Sequence, residues 1–420
     1  MVSHALAVAL FSCIEPGHPF YQQIEAFAAA IERHPRYAEL AAMHTQASAA
    51  SLHAEIKARP AGSGWSLERF YWSFQCHQAT PAQSFQALTL VYAANTGQLT
   101  WHSFPDDPYL ATVAPYLAST ASLGVGQVEV LRYVPLRRLT FRLASRTSSA
   151  ALIGKFMRRS RFRDAYTRLS MVAHGARRAG ASFAVATPVA VDDRSCLFFQ
   201  EALPGQSLPA LADAHNLAGL LFQAGALHHE LHSLPIADLP DWDASSSIAR
   251  IEHDCAWITF VRPELSRLLG SALALLKRQV PAIDPTRYTF CHGDFACSQV
   301  LVGPAGWAVT DFDLAQRGDR YRELALLLAS LPYDLPCLGA ATPTTAALLE
   351  QASLAYCTGY QEQAGQALDQ RRLLWHQLGA EIYYLALMLK KDWFQPPAFE
   401  RAVERIRNYT GRLAPARGHR

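Results

Sequence analysis

Residues 288–329 read YTFCHGDFACSQVLVGPAGWAVTDFDLAQRGDRYRELALLLA: two short apolar runs, each closed by carboxylates and joined through a Gly-Pro turn. His292-Gly293-Asp294 follows the first run, Gln299 stands five positions past that aspartate, and Asp311-Phe312-Asp313 closes the second run. Apolar runs of this length bounded by turn residues read as strands. Two short strands with a tight connection bring Asp294, Gln299, Asp311 and Asp313 to one place. Gly318-Asp319 then opens an apolar helix. Taken singly, HGD is a common turn sequence and Asp-Phe-Asp could cap a helix or sit in a solvated loop. It is their order and spacing around one strand-turn-strand unit that carries information.

Carboxylates gathered in this way suit phosphoryl transfer. That chemistry needs a carboxylate beside the attacking hydroxyl and oxygen ligands for the Mg2+ that bridges the phosphates. Asp294 fits the first requirement; Asp311 and Gln299 fit the second, with Asp313 available to assist the metal. The spacing resembles that of the aminoglycoside phosphotransferase and choline kinase superfamily, whose motifs are HGD, four residues, then Asn, followed by an Asp-centred DFD or DFE after a strand. Gln299 stands where the family has Asn, as in its maltokinase-type members; the amide oxygen is one methylene further out and still within reach of a cation. The resemblance runs from Leu131 to Ala329. It implies an α+β, protein-kinase-like bilobal fold with a small antiparallel-sheet N-lobe, a mostly helical C-lobe and an extra N-terminal α/β segment. It also implies ATP and Mg2+ as cofactors, with Asp294 as catalytic base, His292 holding the catalytic loop, and Asp319 stiffening the lobe.

The rest of the chain is read against that expectation. With 420 residues and half of them hydrophobic, two or three packed units are expected. The domains are placed at residues 1–125 (an extension of unreadable role), 126–203 (nucleotide-binding N-lobe) and 204–420 (catalytic and acceptor-binding C-lobe). A formal charge of +3 with scattered arginines does not indicate nucleic acid. No segment reaches the roughly 20 apolar residues of a membrane helix, and the apolar run Ala5 to Ile14 lacks a basic flank, so a cytoplasmic protein without a membrane partner is expected. Eight cysteines without a paired CxxC pattern read as reduced, buried residues.

Residues 19–57 carry apolar positions at helical spacing (Tyr21, Ile24, Phe27, Ile31) and predict a helical hairpin ended by the Gly/Ser break at 61–64. Phe85–Ala93 and Leu99–Phe104 flank Asn95-Thr96-Gly97-Gln98 and predict a β-hairpin. Another helix is expected after Pro105, capped by Asp106 or Asp107. An extra segment ahead of the kinase lobe also resembles maltokinase-type architecture.

Gln127–Val134, Arg138–Ser145 and Leu152–Met157 alternate as three antiparallel strands. Lys155 lies in the third, one of only five lysines in the chain. By resemblance it holds the α- and β-phosphates; the plainer reading is a lysine on a solvated strand face. The turn between the first two strands is Pro135-Leu136-Arg137-Arg138, where relatives have a glycine that lets backbone amides approach phosphate. The helix 162–178 lacks a glutamate to pair with Lys155, which leaves Asp164 as the nearest carboxylate. Ser195–Glu201 followed by Ala202-Leu203-Pro204-Gly205 resembles the hinge, so Gln200, Glu201, Ala202 and Leu203 are expected at the adenine edge; the plainer reading is an ordinary strand-to-helix connection.

In the next helix, 213–233, His228 and His232 share a face at i,i+4. The order HHELH is not HExxH and offers no third ligand, so a structural helix is expected. Helices at 248–277 and 344–389 follow; by resemblance this region, with Trp375, Tyr383 and Tyr384, shapes the acceptor pocket, while core packing explains aromatics at helical spacing equally well, and 412–420 reads as a frayed tail. The function expected is ATP-dependent phosphorylation of a small-molecule hydroxyl, with a sugar or sugar-containing metabolite preferred because Arg371, Arg372, Lys390 and Arg401 accompany no acidic cluster suited to a polycation. The alternatives are a degenerate nucleotide-binding pseudokinase or interaction module, suggested by Gln299 and the glycine-poor turn, and an aminoglycoside-modifying kinase. A metal-dependent hydrolase lacks the histidine ligands it would need. Oligomeric state is not readable.

Overall fold

The computed structural model describes residues 14, 17–38, 49–62, 64–77, 85–123, 126–145, 151–281, 284–338, 342–391 and 396–414. The chain forms two compact units: Met1–Arg163 with Val189–Ala202 and Leu387–Phe394, and Asp164–Pro188 with Leu203–Ala386 and Gln395–Arg420.

Among the described residues the first element of the first unit is helix α1 (Tyr21–Glu32), which buries Ile24, Phe27, Ala28 and Ile31. Helical structure resumes at Tyr37–Ala38 and residues 39–48 lie outside the described residues, but the last part of the region expected to be helical is strand β1 (Ala49–Ala61), the start of an antiparallel sheet with β2 (Gly64–His77), β3 (Phe85–Ala93) and β4 (Gln98–Ser103) in that order. The reason lies in the alternation: Ala54 and Ile56 are buried while His53, Glu55 and Lys57 between them are not, a period of two that only a strand can use. The break at 61–64 is the β1–β2 turn, where Ala61 pairs with Gly64 and Gly62 takes φ +57°. One face of this sheet is apolar, and Phe27 of α1 stacks on Phe70 at 5.4 Å and lies 5.6 Å from Tyr92. The predicted β3–β4 hairpin is present.

Helix α2 (Val113–Leu123) starts later than expected, and Asp107 does not cap it. Its Oδ1 accepts the Tyr109 N–H at 2.9 Å, and its Oδ2 accepts the Tyr133 hydroxyl at 2.8 Å and the Leu136 N–H at 2.7 Å. The second sheet runs β5-β6-β7-β10-β9: β5 (Gly126–Val134), β6 (Arg138–Ser145), β7 (Ala151–Met157), β9 (Pro188–Asp192) and β10 (Leu197–Glu201). Leu139, Phe141, Phe156 and Leu197 form its core together with Leu110 and Val113.

Helix α3 (Arg159–Ala179) carries the chain into the second unit. There a four-stranded sheet has the order β11-β13-β14-β8, with β8 (Ala184–Val185), β11 (Gln206–Ser207), β13 (Val300–Gly303) and β14 (Gly306–Val309). A two-stranded ladder pairs β12 (Thr289–Cys291) with β15 (Gln316–Gly318). Besides the single turn Leu208–Leu211, the helices among the described residues are α4 (Leu217–His232), α5 (Ala244–Val261), α6 (Ser266–Arg278), α7 (Arg320–Asp334), α8 (Pro343–Ala364), α9 (Gln370–Lys390) and α10 (Pro396–Leu413). The helix expected over 248–277 is broken at Arg262-Pro263, because proline removes an N–H and disfavours the helical conformation before it. α4 and α8 pack closely: a Cβ at Gly225 would strike the Tyr356 carbonyl, and one at Gly359 the Phe222 carbonyl. The tail beyond 414 lies outside the described residues. Among the described residues no helix is long and apolar enough to cross a membrane, and seven cysteines are free.

Candidate active site

The HGD loop leaves the end of β12. Gly293 has φ +88°, and a Cβ there would run into the Leu314 carbonyl, so glycine is required twice over, for conformation and for space. His292 is fully buried, with its Nε2 donating to the Thr310 carbonyl at 2.8 Å and its Nδ1 3.4 Å from the Asp294 N–H. Its ring lies against Phe312, with centroids 4.7 Å apart. His292 thereby ties the HGD loop to the residue just before Asp311, and the Asp294 carboxylate is left at the surface.

A residue that sequence reasoning missed stands behind this loop. Glu323, one turn into α7 and 1% exposed, accepts the His292 N–H at 2.9 Å and the Gly293 N–H at 2.5 Å. Its Oε2 also lies 3.1 Å from His228 Nε2 and 3.0 Å from His232 Nε2. Burial opposes the charge on Glu323, but the hydrogen bonds from His228 and His232 more than offset it and hold the carboxyl well below its usual range. Burial also pushes His228 down to about 3, so its imidazole is neutral and donates Nε2–H. The Nδ1 atoms meet the hydroxyls of Tyr356 and, at 2.9 Å, Tyr360. The histidine pair therefore has the third group that the sequence did not reveal, and His228, His232 and Glu323 are close enough to share a cation. Each ring nitrogen is, however, already matched to a hydrogen-bond partner. The cluster is a buried polar support for the HGD backbone. A signal was present: Glu323 is the one carboxylate in the apolar helix run ELALLLAS.

Asp311 follows β14 in the left-handed conformation, φ +69°, which an aspartate adopts at a cost and which turns the chain into the 3-10 turn Phe312–Leu314. Gln299 precedes β13 and is 9% exposed; Val300 pairs with Val309, and the Thr310 N–H donates to the Gln299 carbonyl at 2.9 Å. The hairpin thus brings Gln299 and Asp311 to the same end, as the spacing suggested. Asp313 follows two residues on, inside the 3-10 turn, and the three side chains offer only amide and carboxylate oxygens, the donor type a hard divalent cation takes. Arg168 holds the Asp313 carbonyl at 2.7 Å. Asp319 caps α7 through the Tyr321 N–H at 3.1 Å and receives Arg372 and His376 at 2.9 and 2.8 Å. Burial works against its charge, but His376 and Arg372 outweigh that and keep its pKa low.

Beside the HGD loop lies a cavity of about 270 Å³. Asp294 forms part of its wall, and Trp242, Trp375, Tyr383 and Tyr384 supply aromatic surface. Arg250 and Arg322 also line it, and among the described residues Asp294 is the one carboxylate that does. Arg250 is paired with buried Asp254 at 2.9 Å. Burial, then the charge of Asp294, raises the pKa of Tyr383.

The remaining sequence candidates lie mainly in the first unit. Lys155 is 6% exposed and pairs between Thr140 of β6 and Phe198 of β10, with its Nζ 5.9 Å from the Phe198 ring. It is therefore on an interior strand, not a solvated edge. Asp164 is exposed on α3. Gln200 and Glu201 pair with Ile153 and Leu152, and the Ala202 N–H donates to the Ala151 carbonyl at 3.1 Å. Leu203 begins the segment assigned to the second unit. In the turn where a glycine was expected, Leu136 has φ +61°, the conformation glycine adopts freely, and is 5% exposed. The Asp107 carboxylate on its N–H, together with burial of the side chain, compensates for that strain.

Comparison with known proteins is consistent with this geometry. A thermostable mutant of the aminoglycoside phosphotransferase APH(4)-Ia, in a ternary complex with ADP and hygromycin B, matches with a TM-score of 0.51 and 15% identity over 71% of this chain and 98% of the other. Amicoumacin kinase hAmiN (0.49, 13% identity, 71% and 95% coverage) and choline kinase LicA from Streptococcus pneumoniae (0.49, 13%, 71% and 99%) also match, at scores that add no argument. A search of curated proteins finds no match. The first likeness shows a shared kinase-like fold. Residues 137–374, more than half of the chain, match the model of the phosphotransferase enzyme family. The chain belongs to that family and is a small-molecule phosphotransferase.

Proposed function

We propose that the protein transfers the γ-phosphate of ATP to a hydroxyl of a neutral sugar or sugar-containing metabolite. The observation that carries this reading is the position of Asp294: an exposed carboxylate on the wall of an aromatic-lined cavity, held by a loop that His292 and Glu323 fix from behind. Aromatic faces suit a sugar ring, and a lining with two arginines and a single carboxylate among the described residues does not suit a polycation. The acceptor hydroxyl would bond to Asp294, which orients it and takes its proton as the new bond to phosphorus forms. Asp311 and Gln299, assisted by Asp313, would hold Mg2+, which offsets the phosphate charge. Lys155 would hold the α/β-phosphate end, with Gln200, Glu201, Ala202 and Leu203 along the adenine. A kinase-like neighbour crystallised with ADP supports the nucleotide part of the reading.

The test is ADP release from Mg-ATP by wild type and Asp294→Ala, across a panel of sugars, aminoglycosides and amino alcohols. Stimulation by a sugar that falls by on the order of 10^2 in the variant, with nucleotide affinity unchanged, is expected. Turnover near wild type in the variant would refute the role of Asp294. Exclusive turnover of an aminoglycoside would refute the neutral acceptor.

A further inference from the structure

The four-stranded sheet of the first unit has one face packed against α1. Its other face carries polar residues at positions where packing alone would favour apolar ones. His53, Ser73 and Thr89 lie in one row across β1, β2 and β3, flanked by Glu55, Tyr71 and Gln75. Ser73, Gln75 and Thr89 are 3, 7 and 2% exposed. They are joined to one another and to the second sheet: Thr89 Oγ1 and Gln75 Nε2 approach Ser73 Oγ at 3.3 and 3.4 Å, and Gln75 Nε2 donates to the Tyr133 carbonyl at 3.0 Å. This polar wall forms one side of a cavity of about 450 Å³, within the size range of small-molecule sites.

The opposite wall is the end of β5 and the turn Pro135–Arg137. Tyr133 pairs with Leu139, and Leu139 with Phe156, so Tyr133 lies on the face of that sheet opposite Lys155. The cavity is therefore separate from the face that carries Lys155. Tyr71, Phe85 and Pro135 give it ring-sized apolar surface, and Lys57, Arg137, Arg158 and Lys391 surround it with cationic groups. Among the described residues Glu55 is the one carboxylate in the lining, and it is paired with Arg137 at 2.7 Å. The Lys391 backbone bridges to Glu55, which fixes that lysine at the rim.

We propose that this cavity is a second small-molecule site, and that it binds a phosphomonoester carried on a compact ring. Cationic groups at the mouth attract a dianion, and forked guanidinium groups match phosphate oxygens. The ring enters between Tyr71, Phe85 and Pro135, and its hydroxyls meet Ser73, Thr89 and Gln75. A sugar phosphate and a nucleoside monophosphate share this chemistry.

The test uses the full chain with saturating Mg2+ and AMP-PNP, so that the nucleotide site proposed above is filled. Glucose 6-phosphate and AMP are titrated by calorimetry, with glucose, adenosine and inorganic phosphate as controls. Saturable binding of one phosphomonoester, absent for its dephosphorylated control, is expected, and which one binds identifies the ring. Lys57→Glu combined with Lys391→Glu should weaken it at least about tenfold at unchanged melting temperature, with the loss shrinking as salt is raised. Thr89→Val, which keeps the charge and shape, should weaken it by about threefold to tenfold through the lost floor hydroxyl. No saturable binding of either phosphomonoester, equal affinity in both variants, or inorganic phosphate binding as tightly as the esters would overturn the proposal.

Discussion

Glu323→Gln changes one atom in the support behind the HGD loop, and its cost follows from counting donors. Oε2 faces three of them, His292 N–H, His228 Nε2 and His232 Nε2, and Oε1 faces the Gly293 N–H at 2.5 Å. Glutamine keeps one acceptor oxygen. Turned to serve the three donors, it sets its own NH2 against the Gly293 N–H; turned the other way, it opposes all three. At least one buried backbone donor is then orphaned, at about 1–3 kcal/mol, and the other three bonds lose a charged acceptor, at roughly 0.5–1 kcal/mol each. The sum, about 2.5–6 kcal/mol, is a large part of an ordinary domain's stability of about 5–15 kcal/mol. The loop that aims Asp294 would shift with it, and sub-ångström misplacement of a catalytic group lowers rates by on the order of 10–10^2. Urea denaturation should therefore show a lower midpoint. Kinetics on folded protein should show a reduced kcat, with nucleotide affinity little changed. A variant with the wild-type midpoint and kcat would refute the idea that Glu323 positions the loop.

The same cluster predicts a pH dependence. Glu323 is depressed below its unfolded value, so its stabilising contribution is present above about pH 4.3 and is lost as pH falls through the folded pKa. His228, pushed down to about 3, stays neutral in the fold while the unfolded imidazole takes a proton below about pH 6.5, so wild-type stability should decline from there towards pH 3, as read by denaturation at successive pH values. Asp311→Ala should abolish Mg2+-dependent nucleotide binding, and Gln299→Asn should retain it if the amide oxygen is the ligand; calorimetric titration of Mg-ATP checks both. Leu136→Gly relieves a left-handed leucine worth roughly 1 kcal/mol but loses a buried side chain worth roughly 2–3 kcal/mol, so a net destabilisation of about 1–2 kcal/mol is expected in urea.

How much of this could be read from the sequence depends on the distance over which each residue's role is decided. HGD, Gln299 and DFD lie within 22 residues of one another, and the β13–β14 hairpin alone is enough to bring Gln299 to Asp311. A local pattern could express that arrangement, and it did. Glu323 is different: its four partners come from α4 and the HGD loop, and nothing near it in the chain distinguishes a support for a loop from a stray charge on a helix. Leu136 shows the same limit from the other side. A glycine-poor turn reads as a defect when only the turn is seen, and the Asp107 carboxylate that stabilises its N–H lies 29 residues earlier, in a segment that carried no legible chemistry. β1 was missed for a third reason. Helical spacing over 21–31 was real, and carrying it forward hid the two-residue alternation at 53–57, although the strand was written there in buried Ala54 and Ile56. The polar wall of the second cavity stands on the other side of that alternation: once β1 is a strand, His53, Glu55 and Lys57 must share one face, and that face is where a ligand would be met.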